Sequence, residues 1–347
     1  MRKIIFVVDD NSTNLTVAEE ALADHYQVIA LPSAAVMFKA LEKFQPDLIL
    51  LDIDMPDMNG FEAMEKLSAD KRYANIPVIF LTGLNDSASE AHGIQLGAVD
   101  FIMKPFSEPV LLNRLKNHLF IDDLIRKRTA ELEERTEQLE MLKNGLVFTM
   151  ADLVENRDKN TGGHIDRTAE YMKVLIEAML EQGVYNDEIS SWDLDLVTLS
   201  ARLHDLGKIA IPDSILNKPD KLTDEEFTIM KTHSLEGERI INNAIMRTGD
   251  AQFLQYAKII AAYHHERWDG RGYPYALEGE KIPLQGRIMA VIDVYDALVS
   301  ERPYKKAFTH EKAVEIIMEE SGTHFDPRIS EVFNSVNEKM IELKESF

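Results

Sequence analysis

Over the first 120 residues, short apolar runs alternate with amphipathic stretches of helical length. The runs Ile4 to Val8, Leu48 to Ile53, Val78 to Leu81 and Phe101 to Met103 lack a polar alternation, which is the pattern of strands covered on both faces. Strands of that kind separated by helices predict an α/β, doubly wound parallel sheet whose functional groups collect at the carboxyl ends of the strands. Polar residues fall at those ends: Asp9 and Asp10, Asp52, Thr82, then Lys104 and Pro105.

From Ser107 to about Val147 the period becomes helical, with Ile125, Leu132, Leu139 and Leu146 seven residues apart among many Glu and Arg. The spacing predicts a short coiled-coil seam, and through it a homodimer. Arg128 and Arg135 stand at the second core position, where a strong zipper would have Leu. That makes the pairing weak or switchable, and a solvated connector helix fits the same pattern. From Gly145 onward the chain reads as all-α. Thr223 and Glu226 form a capping box, read as opening a helix that contains His233.

A length of 347 residues exceeds what a single core supports, so two domains are expected. No stretch reaches the roughly 20 apolar residues of a membrane helix, and the opening MRKIIFVVDD meets acid before a signal-like run develops. A soluble cytoplasmic protein without membrane insertion is the expectation. With no cysteine, any metal must be held by imidazole and carboxylate. A net charge of -22 argues against binding DNA or RNA through a broad basic surface, though not against a small phosphate ligand where cations cluster.

Asp9, Asp10 and Asp52 converging at strand ends would form an oxygen pocket suited to Mg²⁺, with one carboxylate able to accept a phosphoryl group. Lys104 and Thr82 opposite would bind the phosphoryl oxygens. The segments VVDD, LLDIDMPDMNGFE, FLTG and FIMKPF, in this order, resemble a response-regulator receiver domain with its five-stranded parallel sheet. The resemblance implies Asp52 as phosphoacceptor, Asp9 and Asp10 on Mg²⁺ with the Asp54 backbone carbonyl, Thr82 and Lys104 on the phosphoryl group, and Phe101 as switch aromatic. Asp54 is an unusually acidic residue for its position.

Most of the histidines lie after residue 160, in segments rich in Gly, Asp, Lys and Arg: TGGHIDR, LHDLGKIAIPD, KTHSLEG and YHHERWDGRGYP. Histidine beside aspartate, followed by further histidine, is a ligand set for iron, manganese or zinc without thiolate. Alone, His164 or His233 would read as a structural histidine. With Gly272, Tyr273 and Pro274, RIMAVIDVYDALVSERPYK and HFDP, these segments resemble the HD-GYP family of cyclic di-GMP phosphodiesterases over roughly residues 146 to 330. The resemblance implies an all-α HD-superfamily domain with metal ligands His204, Asp205, His233, His264, His265 and Asp293, completed by His164, and Asp205 as the bridge. It implies that Tyr273 contacts a guanine or its ribose and that Arg302 and Lys305 bind phosphates. Lys208, in the HDxGK run, would offset transition-state charge. Members holding a third metal carry Glu four residues before the first His; this chain has Asn160 there, so two metals are expected, with iron or manganese ahead of zinc.

Two such cations would bridge a water, lower its pKa and stabilise charge on a phosphodiester, giving hydrolysis without a covalent intermediate. The sequence therefore predicts a two-component response regulator: receiver over 1–122, helical coiled-coil linker over 123–145, metal-dependent phosphohydrolase over 146–347. A cognate sensor histidine kinase would phosphorylate Asp52, and the output domain would hydrolyse cyclic di-GMP to pGpG, GMP or both. A non-catalytic dinucleotide sensor and a hydrolase of a mixed cyclic GMP-AMP dinucleotide are the alternatives.

Overall fold

The structure, a computed structural model, describes residues 2–83, 87–157, 163–249, 251–301 and 306–347, without the side chains of residues 87–90. The chain forms two compact units, Met1–Glu137 and Gln138–Phe347.

The first unit is a parallel sheet of β1 (Ile4–Val8), β2 (Gln27–Leu31), β3 (Leu48–Asp52), β4 (Val78–Thr82) and β5 (Asp100–Met103), in the order β2-β1-β3-β4-β5. Every residue of β3 and β4 is buried, which is why their sequence shows runs and no alternation. β2 escaped such a reading because it is an edge strand, with only Leu31 fully buried. β3 ends at Asp52, one residue short of the run. On one face α1 (Ser12–Leu22) and the start of α5 (Glu108–Arg157) pack Leu22, Leu111 and Leu115 onto Ile5, Val7, Leu50 and Leu81. On the other, α2 (Ala34–Leu41) and α3 (Gly60–Ala69) pack Met37, Met64 and Leu67 onto Phe6, Val8, Ile49 and Leu51. α4 (Ser87–Gln95) follows β4. Strand order reverses at β1 and β3, so the crevice beyond their carboxyl ends lies between Asp9 and Asp52.

α5 runs to Arg157 and does not end near Val147. Val147, Ala151 and Val154, spaced four and three apart, are all buried, so the apolar face continues past Gly145, whose surroundings are open and which costs the helix only its own flexibility. The heptad residues Ile125, Leu132, Leu139 and Leu146 are 59, 63, 66 and 54 % exposed, an uncovered apolar row.

In the second unit the main core joins α6 (His164–Glu181), α13 (Leu284–Val299), α14 (His310–Glu319) and α15 (Pro327–Ser346) through Tyr171, Leu175, Met179, Ile288, Ile292, Tyr295, Ile317 and Phe333. A smaller cluster of Val147, Leu199, Leu203, Ile241, Ala257 and Ala261 ties α5 to α8 (Leu194–Ala201), α11 (His233–Thr248) and α12 (Gln252–Tyr263). Short helices α7 (Asn186–Ile189), α9 (Asp213–Leu216) and α10 (Asp224–Met230) and two 3₁₀ turns, Leu206–Ala210 and Gly279–Lys281, complete the frame. The capping box of Thr223 and Glu226 is present, but it opens α10, which stops at Met230; His233 begins the next helix. Asp326 of HFDP is buried: it caps α15, accepts from Arg287 at 2.6 Å and receives the Tyr185 hydroxyl at 2.8 Å.

Candidate metal centre and phosphoacceptor pocket

Five stretches of the second unit deliver the His and Asp side chains, four of them at helix ends. His164 opens α6, His204 and Asp205 follow α8, His233 opens α11, and His264 and His265 follow α12. Asp293 projects from the middle of α13. His204, His233 and His264 each set Nδ1 against a main-chain carbonyl three residues earlier, at 2.9, 2.8 and 3.0 Å. A carbonyl only accepts, so Nδ1 carries a proton, and in the neutral ring Nε2 is then the bare lone pair. His164 is fixed in the same sense by the Asp296 carboxylate, 2.8 Å from its Nδ1.

The bare nitrogens then face each other. His164 and His204 bring Nε2 atoms to 3.2 Å, and His233 and His264 to 3.3 Å. Two lone pairs at that distance repel, and a cation between them turns repulsion into coordination. Ligand atoms of His164, His204 and Asp205, and separately of His233, His264 and His265, lie within 4.8 Å of one another. Asp205 reaches both sets, with Oδ2 3.3 Å from His204 Nε2 and Oδ1 3.5 Å from His233 Nε2. Asp293 Oδ1 lies 3.5 Å from His164 Nε2, and Lys208 Nζ lies 2.7 Å from Asp205 Oδ2. Imidazole and carboxylate donors without thiolate, converging on two points, fit a pair of divalent transition-metal ions.

Electrostatics favour the ligand forms of Asp205, His233, His264 and His265. Burial would raise Asp205, but Lys208, His204 and His233 hold it well below the carboxylate range. Burial, reinforced by neighbouring imidazoles, lowers His264 to about 3 and drives His265 down in the same direction; His233 is also lowered by burial. Burial would lower His204 too, but Asp205, Asp293 and the Ala201 carbonyl together outweigh it and raise His204. A histidine with a lowered folded pKa binds fewer protons folded than unfolded, so its stability is present above the unfolded value of about 6.5 and is lost as pH falls below it. Metal-free protein is expected to show a clear fall in the melting temperature of the second unit between pH 7.5 and 5.5 by calorimetry; a flat profile would contradict the assignment.

Three supporting residues carry no metal-ligand signal of their own. Asp296 is 1 % exposed and is gripped by Arg167, with Nε and Nη2 at 2.7 and 2.9 Å. Burial alone would raise it, and His164 with Arg167 lowers it to about 2. The sequence does hold a trace of this pair: Arg167 follows His164, and Asp296 follows Asp293, by one helical turn. Replacing Asp296 with Asn would free the His164 tautomer and lower metal affinity by about 10- to 100-fold, read by competition against a chelator. An unchanged affinity would make Asp296 a packing residue only. The third, Glu266, is buried and accepts from the Tyr275 and Leu277 amides at 2.7 and 3.0 Å, closing the loop that presents Tyr273. Gly272 is required there, because a Cβ would overlap the backbone of Glu266 and Arg267. Tyr273 lies with its ring 4.8 Å from that of His265, and Lys231 stands 5.9 Å above it. Arg302, Lys305 and Asn160 lie outside the described residues.

In the first unit, Asp9 and Asp52 are buried at the crevice, Asp10 and Asp54 are exposed beside it, and the carboxylates of Asp9, Asp10 and Asp52 lie within 4.8 Å of one another. Lys104 Nζ reaches Asp52 at 2.7 Å and Asp9 at 2.8 Å. Burial raises Asp52; the Lys104 ammonium offsets part of this and Asp9 adds to it. Asn14, which the sequence reading passed over, donates to Asp9 at 3.0 Å. Thr82 is buried at the end of β4, and Phe101 packs inward against Phe80, ring centroids 5.4 Å apart. Gly60 closes the turn behind Asp52, where a Cβ would overlap the Asp52 carbonyl.

Comparison with known proteins divides the chain the same way. The response regulator receiver domain profile matches residues 5–116, and the HD domain profile matches residues 148–329. A probable cyclic di-GMP phosphodiesterase of Vibrio cholerae is 40 % identical over 351 residues, covering 99 % of this chain and 80 % of that one. A cyclic di-GMP phosphodiesterase response regulator of Xanthomonas campestris is 34 % identical over 334 residues, 93 % of this chain and 85 % of that one. A 3'3'-cGAMP-specific phosphodiesterase of Vibrio cholerae is 40 % identical over 201 residues, 58 % of this chain and 36 % of that one. Among the described residues no helix is long and apolar enough to cross a membrane.

Proposed function

Because the chain belongs to the family of receiver-linked HD-domain phosphodiesterases, we propose that its second unit hydrolyses cyclic di-GMP to pGpG, GMP or both, under the control of phosphorylation at Asp52. The observation that carries this reading is the pair of opposed Nε2 contacts with Asp205 spanning them. His164, His204, Asp205 and Asp293 would hold one ion and His233, His264, His265 and Asp205 the other. Iron or manganese suits this donor set. Bound there, two divalent cations supply Lewis acidity, generate a nucleophile from water near neutral pH and neutralise the developing phosphodiester charge.

The chain's own residues do the rest. Asp205 holds the two ligand sets at a fixed spacing, and Lys208, already at its carboxylate, is placed to donate to a non-bridging phosphate oxygen. Tyr273, held over His265 by the Glu266-closed loop, offers a flat face to a guanine or its ribose. Arg302 and Lys305 would bind the outer phosphates. Cyclic di-GMP is preferred to a mixed cyclic GMP-AMP dinucleotide because relatives that align along nearly the whole chain bear the former name.

For the first unit we read Asp9, Asp10, Asp52 and the Asp54 carbonyl as the Mg²⁺ site, Thr82 and Lys104 as the phosphoryl contacts and Phe101 as the aromatic that repacks. A sensor histidine kinase supplies the phosphoryl group, and the uncovered Ile125, Leu132, Leu139 and Leu146 row pairs with a second copy. We assign 1–122 to the receiver, 123–145 to the linker and 146–347 to the hydrolase, and place the protein in the cytoplasm with its kinase and dinucleotide. The test is chromatography of cyclic di-GMP and cyclic GMP-AMP after incubation with anaerobically prepared, manganese- or iron-loaded protein, with and without a phosphoryl mimic on Asp52. Metal-dependent loss of cyclic di-GMP is expected, its rate changed by the mimic in wild type and unchanged in Asp52→Ala. Intact cyclic di-GMP beside a digested control overturns the substrate, and faster loss of cyclic GMP-AMP reverses the preference.

A further inference from the structure

Lys208 owes its position to a 3₁₀ turn, Leu206–Ala210, a poor hydrogen-bonding geometry that rarely holds itself in place. Its backbone is pinned from two sides. On one, Gly207 lies so close to the His233 carbonyl and the Gly237 amide that no Cβ fits between. On the other stands Arg157, the last residue of α5. Its Nη1 donates to the Lys208 carbonyl at 3.1 Å and the Ile209 carbonyl at 2.7 Å, its Nη2 to the Ile211 carbonyl at 2.7 Å, and its Nε to the Asp213 carboxylate at 2.9 Å. Arg157 is fixed in turn, for its own carbonyl, an orphan acceptor at the helix end, takes a hydrogen bond from Asn217 at 3.0 Å.

Three donations from one planar guanidinium into the carbonyls of one turn and the residue that caps it, with a fourth to Asp213, are more than a helix end needs, and they converge on the backbone that carries Lys208. We propose that Arg157 is a positioning residue for catalysis: it sets the backbone of Lys208 so that Nζ stays at Asp205 and at the phosphate that Asp205 faces. This rests on reading the second unit as a phosphodiesterase. Arg157 touches neither a metal ligand nor Tyr273, so its loss acts on the chemical step and leaves substrate binding in place. A lysine there makes one of the four bonds and restores part of the effect.

The test compares wild type, Arg157→Gln and Arg157→Lys as full-length protein. In metal-free protein, hydrogen exchange of the peptide spanning 205–211 should quicken by about tenfold in Arg157→Gln, with Arg157→Lys between it and wild type. With metal loaded to equal content, kcat on cyclic di-GMP and on bis(p-nitrophenyl) phosphate should fall by about 10- to 100-fold, with KM within about twofold. Wild-type exchange and wild-type kcat in Arg157→Gln overturn the proposal, as does a loss of kcat that follows metal content alone. If Arg157→Gln does not fold, Asp213→Ala removes only the exposed end of the clamp and should shift both readouts the same way by less; no shift in either overturns the proposal. Wild type inert on both substrates would sink the phosphodiesterase reading, while the exchange measurement still decides whether Arg157 holds the turn.

Discussion

Asp205→Asn is expected to remove hydrolysis by about a thousandfold or more while leaving a folded protein. The amide keeps the shape of the carboxylate and loses its charge, and the position is shared: Oδ2 faces His204, Oδ1 faces His233, and Lys208 sits on Oδ2. A neutral oxygen cannot hold two cations together, and the amide nitrogen presents a donor where a ligand is needed. Electrostatic stabilisation of a developing phosphodiester charge is worth several kcal/mol, and about 4 kcal/mol corresponds to a factor of about a thousand in rate. The measurement is metal content by plasma emission alongside turnover. A variant that keeps two metals and more than a tenth of the wild-type rate would show that Asp205 does not bridge.

Gly207→Ala is expected to be the most damaging single methyl in the second unit. The added Cβ would enter the His233 carbonyl and crowd the Gly237 amide, both backbone atoms at the start of α11. A flexible side chain would yield, but here a helix must move, and that helix carries His233. Forced overpacking of this kind costs about 1–3 kcal/mol or more, which for a unit of this size lowers the melting temperature by roughly 5–10 °C. Turnover should fall with it, because the 3₁₀ turn and α11 set the distance between Asp205 and His233. Gly145→Ala is the control: nothing lies within 4 Å of the added Cβ, and an exposed helix interior gains from alanine by about 0.5–1 kcal/mol. Equal melting temperatures for the two variants would contradict the packing argument.

What the sequence made legible was what repeats locally. Strands buried on both faces announced themselves as runs, and the half-exposed β2 did not. The carboxylates of the receiver crevice stood out because each closes a strand. The His and Asp set, Asp293 in the middle of α13 excepted, stood out because its members sit in unusually polar helix-end segments. The supporting residues were hidden for a different reason. Arg157, Arg167, Glu266 and Asp296 act through partners between 9 and 132 residues away, and apart from the one-turn spacing of Arg167 from His164 and of Asp296 from Asp293 nothing in their own neighbourhoods marks them. His233 was misplaced within its helix because a capping box marks where a helix starts and carries no information about where it ends.

The placement of Asp205 has one more consequence. Of the two sets of donors, the one containing His164 also has Asp293, whereas the one of His233, His264 and His265 has, among the described residues, no carboxylate except the shared one. Two ions held there would be unequal partners: the first settles among two anions, and the second enters a trio of neutral rings around a carboxylate already half neutralised. In such a centre one ion would be retained through dilution and the other would exchange with the surroundings, so that the supply of free metal, and not the abundance of the protein, would set how many copies are ready to work.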